Sequence, residues 1–470
     1  MMRKLAVTVS LLTGLAQVQA EISFMHDVAP VLLQRCEGCH GSKKSKGDYR
    51  IHTFEFLNQA VTPGKPHESY LYAVLVDDDP DFRMPQKDDS LASSDIELVR
   101  QWIAEGANFD GSDRKMSLRS QLPPREHPQS PELYRVPVPV TALAFSPDGK
   151  SLAMSGHHEV TVWGVKPVKL IRRLKNLPLR IQTLKWHADG GQLIVGGGSP
   201  GEYGELALVD ALSGERLRVY GTFEDIVLGM ALNQAGDRLT ASSADRRVRT
   251  YDLTSGKRCW ESSVHSDWVT SVAFSIDNNF VVTTSRDQTA KVLDAKTGEL
   301  FTTYNGHRQK FGEFTGRFKV FASVFEPISG LVMTVGEGKA IRVWNPVKAE
   351  EESGTASDME KRFSKAGHTR YIEHGMGLGV FAMCASKNLV YTAGADGVAK
   401  AFNFEDGKVL HEFKGHLDWI YSIDCSPKTS RLATGSYSGE VRLWDTDTGE
   451  VVYSFIAAPG YDVKQAIFDN

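Results

Sequence analysis

Two cysteines and a histidine near the amino terminus form the clearest chemical motif of the chain. Cys36, Cys39 and His40 stand in the order Cys-x-x-Cys-His. Two thiols at this spacing can form thioether bonds to the two vinyl groups of one haem, and the adjacent imidazole then reaches the iron as an axial ligand. The motif therefore predicts one covalently attached haem c.

Zinc binding and dithiol redox chemistry are the alternatives for the same two cysteines. A structural zinc site needs two further ligands at matching spacing, and the neighbouring sequence does not supply them. A thioredoxin-like dithiol is typical of a βαβ context, which this part of the chain lacks. The sequence therefore favours haem attachment over both.

The iron of such a haem also needs a sixth ligand or an open site. Met84, in Arg-Met-Pro, follows His40 by 44 residues and is the best candidate. A thioether opposite a histidine raises the reduction potential and suits electron transfer. The alternative is that Met84 fills a gap in the core. Weaker rival ligands are the other histidines of this region: His26, His52 and His67.

Two helices are predicted to hold this site. The first runs from near Asp27 to Cys36, with Pro30 in its first turn, where a missing N–H costs nothing. The second begins at Ser94, which forms a capping box with Glu97. Its apolar stripe places Trp102 in the core between the helices, and a glycine ends it at position 106.

The segment from Phe24 to Ala107 resembles the small cytochrome c domains of planctomycete-type bacteria. The shared features are the Cys-x-x-Cys-His-Gly motif, the Arg-Met-Pro and the closing helix over Ile96–Ile103. The resemblance implies an all-α, class-I-like cytochrome c domain over residues 21–112. It also implies His40 and Met84 as the axial ligands of the iron.

Residues 1–20 have the features of a secretion signal. Arg3 and Lys4 give a positive start, and the apolar run over residues 6–16 is too short to span a bilayer. The small residues at Val18 and Ala20 predict cleavage after Ala20, with an uncleaved anchor as the alternative. We therefore expect a periplasmic or otherwise exported protein that is not integral to the membrane after cleavage.

A proline-rich segment over residues 113–131 is predicted to be an extended, semi-rigid linker. From residue 132 to residue 470 the sequence then repeats at intervals of about 40 residues. Each repeat alternates apolar and polar residues, as half-buried strands do. The third strands of the seven repeats end near Trp163, Asp210, Asp252, Asp294, Asn345, Asn403 and Asp445.

These repeats resemble WD40 repeats. The resemblance implies an all-β, seven-bladed propeller of four-stranded antiparallel sheets over residues 132–470. Val463–Phe468 has the pattern of a further inner strand, so an eighth partial blade stays open. The recurring histidines are expected to bond aspartates in tight turns such as those of Asp287 and Asp396. They are His265, His307, His368 and His416.

The remaining cysteines are Cys259, Cys384 and Cys425. An odd number argues against a disulfide framework in an exported protein. We interpret Cys384 and Cys425 as small core residues, with a disulfide between them as the alternative.

Three predicted insertions interrupt the repeats: Gly198–Gly204, Arg308–Phe318 and Thr369–Gly379. In the WD40 family these connections share one face, and inserted loops often carry function. Candidate protein-docking side chains lie in two of them: Arg308, Lys310, Phe311, Arg317, Arg370 and Tyr371. A polar insert over Ala349–Lys361 is expected to be mobile and to lie on the opposite face.

Charge and composition narrow the function. The net charge is −4, the first domain is acidic and the second is balanced, so nothing favours nucleic-acid binding. The acidic run Asp77–Asp81 just precedes Met84 and could steer the haem edge toward a basic surface. The sequence thus predicts a mono-haem electron carrier whose propeller docks a redox partner protein.

Two alternatives remain for the whole chain. One is an oxidoreductase with a second cofactor or substrate site on the propeller. The other is a haem-based sensor, in which Met84 leaves the iron. The sequence contains no catalytic constellation, which favours a carrier over a catalyst.

Overall fold

The computed structural model describes residues 22–41, 45–86, 89–311, 314–353, 365–375 and 379–461. The chain divides between Pro124 and Arg125 into two compact units, the first helical and the second all-β. This confirms the predicted fold class. The predicted signal, residues 1–20, lies outside the described residues. Within the described ranges, no helix combines the length and apolar character needed to cross a bilayer.

The first unit packs short helices around one apolar core. Its elements are a π-helical turn (Phe24–Val28), α1 (Ala29–His40), α2 (Phe54–Leu57), α3 (Tyr70–Val76), α4 (Ser93–Ala104) and α5 (Leu118–Gln121), with single 3₁₀ turns at Lys46–Asp48, Asn58–Ala60 and Pro66–Glu68. Trp102 of α4 is buried, and its ring lies 5.0 Å from that of Phe24. The Trp102 indole N–H donates to the Asn108 carbonyl at 2.9 Å, which satisfies its polar edge. Trp102 is therefore a core residue, as predicted.

The helix boundaries differ in part from those predicted. Pro30 does lie in the first turn of α1, but the helix continues through His40 instead of ending at Cys36. The capping box at the start of α4 is wrong, because no side chain caps that end. The Glu97 carboxylate instead accepts hydrogen bonds from Arg100 at 2.7 Å and Gln101 at 2.6 Å. Because the Glu97 carboxylate binds side chains one turn later in the helix, it does not cap the backbone at the start of α4.

The segment predicted as a linker is packed at both ends. Leu118 of α5 is buried in the helical core, and Arg119 forms an ion pair with Glu37. Beyond the boundary at residue 124, the buried His127 lies 3.2 Å from the carboxylate of Glu205 in the all-β unit. Proline content alone did not reveal these anchoring side chains.

The second unit contains seven four-stranded antiparallel sheets, each built from consecutive strands. The first four blades are β1 (Leu143–Phe145), β2 (Ser151–Ser155), β3 (Val160–Val165) and β4 (Val168–Leu174); β5 (Arg180–Trp186), β6 (Gln192–Ser199), β7 (Tyr203–Asp210) and β8 (Arg216–Phe223); β9 (Val227–Leu232), β10 (Arg238–Ser243), β11 (Val248–Asp252) and β12 (Arg258–Ser262); and β13 (Val269–Phe274), β14 (Phe280–Ser285), β15 (Ala290–Asp294) and β16 (Leu300–Tyr304).

A two-stranded hairpin, β17 (Arg308–Phe311) and β18 (Phe314–Arg317), precedes the fifth blade. The last three blades are β19 (Val320–Phe325), β20 (Val332–Gly336), β21 (Ala340–Trp344) and β22 (His368–Glu373); β23 (Val380–Ser386), β24 (Leu389–Gly394), β25 (Ala399–Asn403) and β26 (Val409–Phe413); and β27 (Ile420–Ser426), β28 (Arg431–Ser436), β29 (Glu440–Asp445) and β30 (Val451–Ile456). Helix α6 (Pro346–Ser353) begins the insert between β21 and β22, where the sequence predicted a mobile segment.

One recurring turn explains the repeat of the sequence. At the end of β11, the Asp252 carboxylate accepts the Ser255 N–H at 2.8 Å, and the Gly256 N–H donates to the Asp252 carbonyl at 2.9 Å. Gly256 has a φ of +73°, which favours glycine. Equivalent glycines occupy this turn in four other blades: Gly214, Gly298, Gly407 and Gly449.

The ring closes through side-chain packing between the first and last blades. Adjacent residues of an inner strand face opposite neighbours, so Ala144 packs toward the second blade and Phe145 toward the seventh. The Phe145 N–H donates to the Asp424 carboxylate at 2.8 Å, and the Ser422 hydroxyl donates to the Val140 carbonyl at 2.8 Å. The further strand suggested for residues 463–468 lies outside the described residues.

Candidate haem site

The end of helix α1 carries all three residues of the Cys-x-x-Cys-His motif. Cys36, Cys39 and His40 are each half-buried, and they occupy neighbouring positions one turn apart. Nδ1 of His40 lies 3.1 Å from the backbone oxygen of Tyr49. A carbonyl can only accept, so Nδ1 is the donor in this contact, and the tautomer that fits it keeps the lone pair on Nε2. This is the state in which a histidine binds a metal.

The loop after α1 positions Tyr49 against the motif. The Tyr49 hydroxyl donates to the Leu57 carbonyl at 2.9 Å, and the Ile51 N–H donates to the His40 carbonyl at 2.8 Å. Burial, with a smaller contribution from Cys36, raises the pKa of Tyr49, so this residue stays a neutral phenol. The His40 imidazole is therefore held by a fixed backbone oxygen.

The two cysteines are unpaired thiols. Burial raises the pKa of Cys36 to about 11; Arg35 opposes this shift and Cys39 adds to it. Cys36 packs against the helical core through its half-buried side chain. Both thiols are thus available for thioether bonds, and Cys36 is a protonated thiol at neutral pH.

Met84 lies in the turn that follows α3. Its N–H donates to the Val74 carbonyl at 2.7 Å, and its side chain is half-buried. Next to it, the Nε atom of Arg83 is buried and has no hydrogen-bond partner among the described residues. A buried guanidinium nitrogen of this kind is suited to a carboxylate.

The residues of the first unit fit a covalently bound haem. Cys36 and Cys39 would form the thioether bonds, His40 presents a free Nε2, and Met84 offers a thioether. The unpartnered nitrogen of Arg83 would suit a haem propionate. In the part of the chain that the structure describes, there is no group of three or more His, Cys, Asp or Glu side chains placed to hold a separate metal ion.

Among the described contacts of the repeated histidines, the predicted bond to a turn aspartate is seen at His265, and a contact with a threonine hydroxyl is what recurs at other blades. His265 lies with Nδ1 2.9 Å from Asp287 and Nε2 2.8 Å from Thr283. Equivalent Nε2 contacts to a threonine hydroxyl are made at His307–Thr334, His374–Thr392 and His416–Thr434. The prediction for His368 is wrong, since its Nδ1 lies 3.0 Å from the Tyr304 hydroxyl. The insert after β21 places Gly367-His368 at the start of β22, and His374 takes the structural position.

The candidate docking residues fall on two different elements. Arg308 lies on β17 and donates to the Asp287 carbonyl at 3.3 Å. Lys310, Phe311 and Arg317 lie on the β17–β18 hairpin, but their side chains are outside the described part of the structure.

The segment Thr369–Gly379 is not the inserted loop that the sequence predicted. Arg370 and Tyr371 belong to β22, the fourth strand of the fifth blade, which pairs with β21. The Arg370 guanidinium donates to the carbonyls of Phe404 and Glu405 and lies 4.8 Å from the Phe404 ring. Arg370 therefore joins neighbouring blades. The side chain of Tyr371 is 39% exposed.

Comparison with known proteins agrees with both units. A family model described as Planctomycete cytochrome C matches residues 36–88. The model described as WD domain, G-beta repeat matches residues 256–294 and 407–445. The chain thus combines a planctomycete cytochrome C domain with a seven-bladed propeller of WD40 repeats.

The curated relatives that match are similar over about half of the chain. The serine-threonine kinase receptor-associated protein of Bos taurus is 22% identical over 258 residues, which cover 49% of this chain and 70% of that protein. WD repeat-containing protein 55 of Pongo abelii is 28% identical over 247 residues, covering 48% of this chain and 55% of that protein.

Sequence reasoning missed three features of these sites. The contact of His40 with Tyr49 uses a backbone oxygen. Every residue has such an oxygen, so the residue type at position 49 does not predict the contact. The buried nitrogen of Arg83 and the position of His374 depend on tertiary placement. The Arg-Met-Pro motif was the available signal for Arg83, but it was interpreted only for Met84.

Proposed function

We propose that this protein is an exported electron carrier with one covalently attached haem c, and that its propeller docks a redox partner. The observation that carries the proposal is the hydrogen bond from His40 Nδ1 to the Tyr49 carbonyl. It leaves Nε2 available beside two unpaired thiols at the spacing of a haem attachment motif. The family match over residues 36–88 supports the same conclusion.

Each residue of the site has a defined part in this function. Cys36 and Cys39 would anchor the group covalently, and His40 and Met84 would be the ligands of its iron. A haem ligated by histidine and methionine supplies a reversible one-electron centre with a raised potential. Arg83 would bind a propionate with its nitrogen, which has no other partner among the described residues.

The surface next to Met84 supports transfer to a basic partner protein. Three large apolar side chains are exposed along α3 and the turn after it: Tyr70 at 65%, Val76 at 44% and Phe82 at 67%. The carboxylates of the run Asp77–Asp81 stand between them and are also exposed. An apolar patch with an acidic rim suits brief association with a surface of opposite charge.

In this proposal the propeller binds the partner protein, and residues 1–20 act as the export signal. Arg308, Lys310, Phe311, Arg317, Arg370 and Tyr371 are the candidate contacts for the partner. The balanced charge of the propeller gives no support for a nucleic acid as that partner. Residues 1–20 direct export and are removed.

The test is the optical spectrum and haem count of the mature protein, made in a host that attaches haem c. We expect one low-spin haem per chain that stays bound under denaturing conditions. Cys36→Ala and Cys39→Ala should each reduce or abolish the covalent haem, whereas Cys259→Ala, at an exposed position, keeps it. A second chromophore would favour an oxidoreductase, and high-spin iron that binds small ligands would favour a sensor; both would overturn the carrier.

A further inference from the structure

A cavity of about 920 Å³ opens at one end of the central channel of the propeller. Its walls come from the inner strands of several blades, close to where these strands begin, and from the segments just before them. Its volume is within the range of sites for small molecules. The lining residues that matter here are Arg180, Arg286, Lys319, Trp268, Phe381 and Tyr421.

The described lining of this cavity is cationic. It includes Arg180, Arg286 and Lys319 and contains no aspartate or glutamate. Nε of Arg286 is buried without a hydrogen-bond partner in the described residues, and the carboxylate of Asp267 is 4.0 Å away. Lys319 is partly neutralised by Glu337, 3.7 Å away and outside the cavity. The field inside therefore favours an anion.

Aromatic rings form the other part of the wall. The rings of Phe321 and Phe381 are 5.6 Å apart, and those of Phe381 and Tyr421 are stacked at 5.3 Å. Tyr437 continues this row at 6.0 Å from Tyr421 and is 53% exposed. Aromatic side chains in the wall of a cavity can pack against a flat aromatic group by edge-to-face or offset contacts.

Arg286 connects the cationic and the aromatic features. Its guanidinium lies 4.3 Å from the ring centre of Trp268, and Trp268 is 38% exposed. A guanidinium stacked on an indole is held in place while its N–H groups remain free to donate.

We infer that this cavity binds a small, planar aromatic carboxylate. The carboxylates of the ligand pair with Arg180 and Arg286, and its ring packs against the aromatic wall that includes Phe381 and Tyr421. Neither feature alone defines this class, because simple anions lack the ring and neutral aromatics lack the charge. This site is separate from the haem site and is not assigned by the carrier function.

The experiment measures binding of naphthalene dicarboxylate to the full-length protein by calorimetry. We expect both naphthalene dimethanol, which is neutral, and citrate, which has no ring, to bind at least about tenfold more weakly, the scale of one lost charge-assisted hydrogen bond. The double variant Arg180→Gln with Arg286→Gln should lose affinity to the same extent. Tyr421→Leu should weaken the dicarboxylate more than it weakens citrate.

The control is Arg258→Gln, which removes the same type of charge from an exposed position on β12. It should leave the affinity unchanged. Equal affinity of the dimethanol, or full affinity in the double arginine variant, would overturn the inference. Tighter binding of an acidic, tryptophan-containing peptide would also overturn it, since the site would then belong to a peptide.

Discussion

At the scale of single residues, the haem site depends on contacts that side-chain identity alone does not reveal. The sequence predicts Cys36, Cys39, His40 and Met84 from their spacing. The proton position on His40 is set by the Tyr49 carbonyl, 3.1 Å away, and so by the path of the loop after α1. A backbone contact of this kind survives most substitutions at position 49, which is why no residue type signals it.

Met84→Ala tests the sixth ligand of the iron. We expect the variant to keep its covalent haem but to become high-spin and to bind small ligands, with a lower reduction potential, because the thioether is lost. Optical spectra and a redox titration measure this. Met116→Ala is the matched control, since Met116 belongs to the same unit and is 48% exposed. An unchanged low-spin spectrum in Met84→Ala would assign the ligand to another residue, such as His52.

The three cysteines of the propeller should differ in reactivity. Cys259 is exposed and should react at once with a thiol reagent in the native protein. A hydrogen bond with Cys425 and burial raise the pKa of Cys384, so this half-buried thiol should react more slowly than Cys259 in the native protein. We expect three reactive thiols in the unfolded, haem-loaded protein, because in the proposed function thioether bonds would occupy Cys36 and Cys39. A count of one would reveal a disulfide between Cys384 and Cys425.

At the scale of elements, periodicity predicted the propeller well and its inserts poorly. The strand pattern recurs in all seven blades, and the turn glycine recurs in five of them. Together these two features identify the seven repeats. Where twenty-odd residues intervene between β21 and β22, the Gly-His dipeptide no longer marks the same place in the blade. The prediction consequently gave the structural position to His368, where the structure has His374, and interpreted β22 as a loop. The predicted capping box between Ser94 and Glu97 does not form, because the Glu97 carboxylate binds Arg100 and Gln101.

The buried histidines should make the propeller sensitive to acid. Burial lowers the pKa of His374 and of His416 to about 4, whereas an unfolded histidine titrates near 6.5. Between these values the unfolded chain binds more protons, so the free energy of unfolding falls as the pH falls. Each of these histidines should contribute about 1.4 kcal/mol per pH unit in this interval.

Urea denaturation followed by circular dichroism at several pH values measures this slope. His374→Gln keeps a hydrogen-bonding side chain next to Thr392, but glutamine does not titrate. The pH slope of the free energy of unfolding should therefore decrease by about 1.4 kcal/mol per pH unit, the contribution of one histidine. His67→Gln, at an exposed position of the helical unit, should leave the slope of the propeller transition unchanged. A slope that His374→Gln does not alter would show that other groups control the acid sensitivity.

At the scale of the whole molecule, charge is divided between an acidic cytochrome domain and a balanced propeller. The acidic residues do not serve the core of the first unit, because the run Asp77–Asp81 is exposed. Two of these carboxylates shape the local turn: Asp77 accepts the Asp79 N–H and Asp79 accepts the Asp81 N–H, both at 2.9 Å. This leaves Asp78 and Asp81 as the carboxylates whose removal should alter charge with little effect on the turn.

The variant Asp78→Asn with Asp81→Asn therefore tests where electrons leave the molecule. At low ionic strength, its reduced form should react roughly two- to fivefold more slowly with a cationic cobalt tris-bipyridyl oxidant and faster with ferricyanide, because local charge steers the encounter. Stopped-flow spectroscopy at the haem absorbance follows both reactions. At about 1 M salt the Debye length shrinks to about 3 Å, so the two differences should disappear.

A matched pair of substitutions on the propeller separates local steering from net charge. Glu350→Gln with Glu351→Gln removes two exposed carboxylates from α6 and changes the net charge equally. If the acidic run borders the electron exit, this control should react with both oxidants at nearly the rates of the unmodified protein. Equal effects of the two pairs would mean that only the total charge matters. The docking surface would then have to be sought away from Met84.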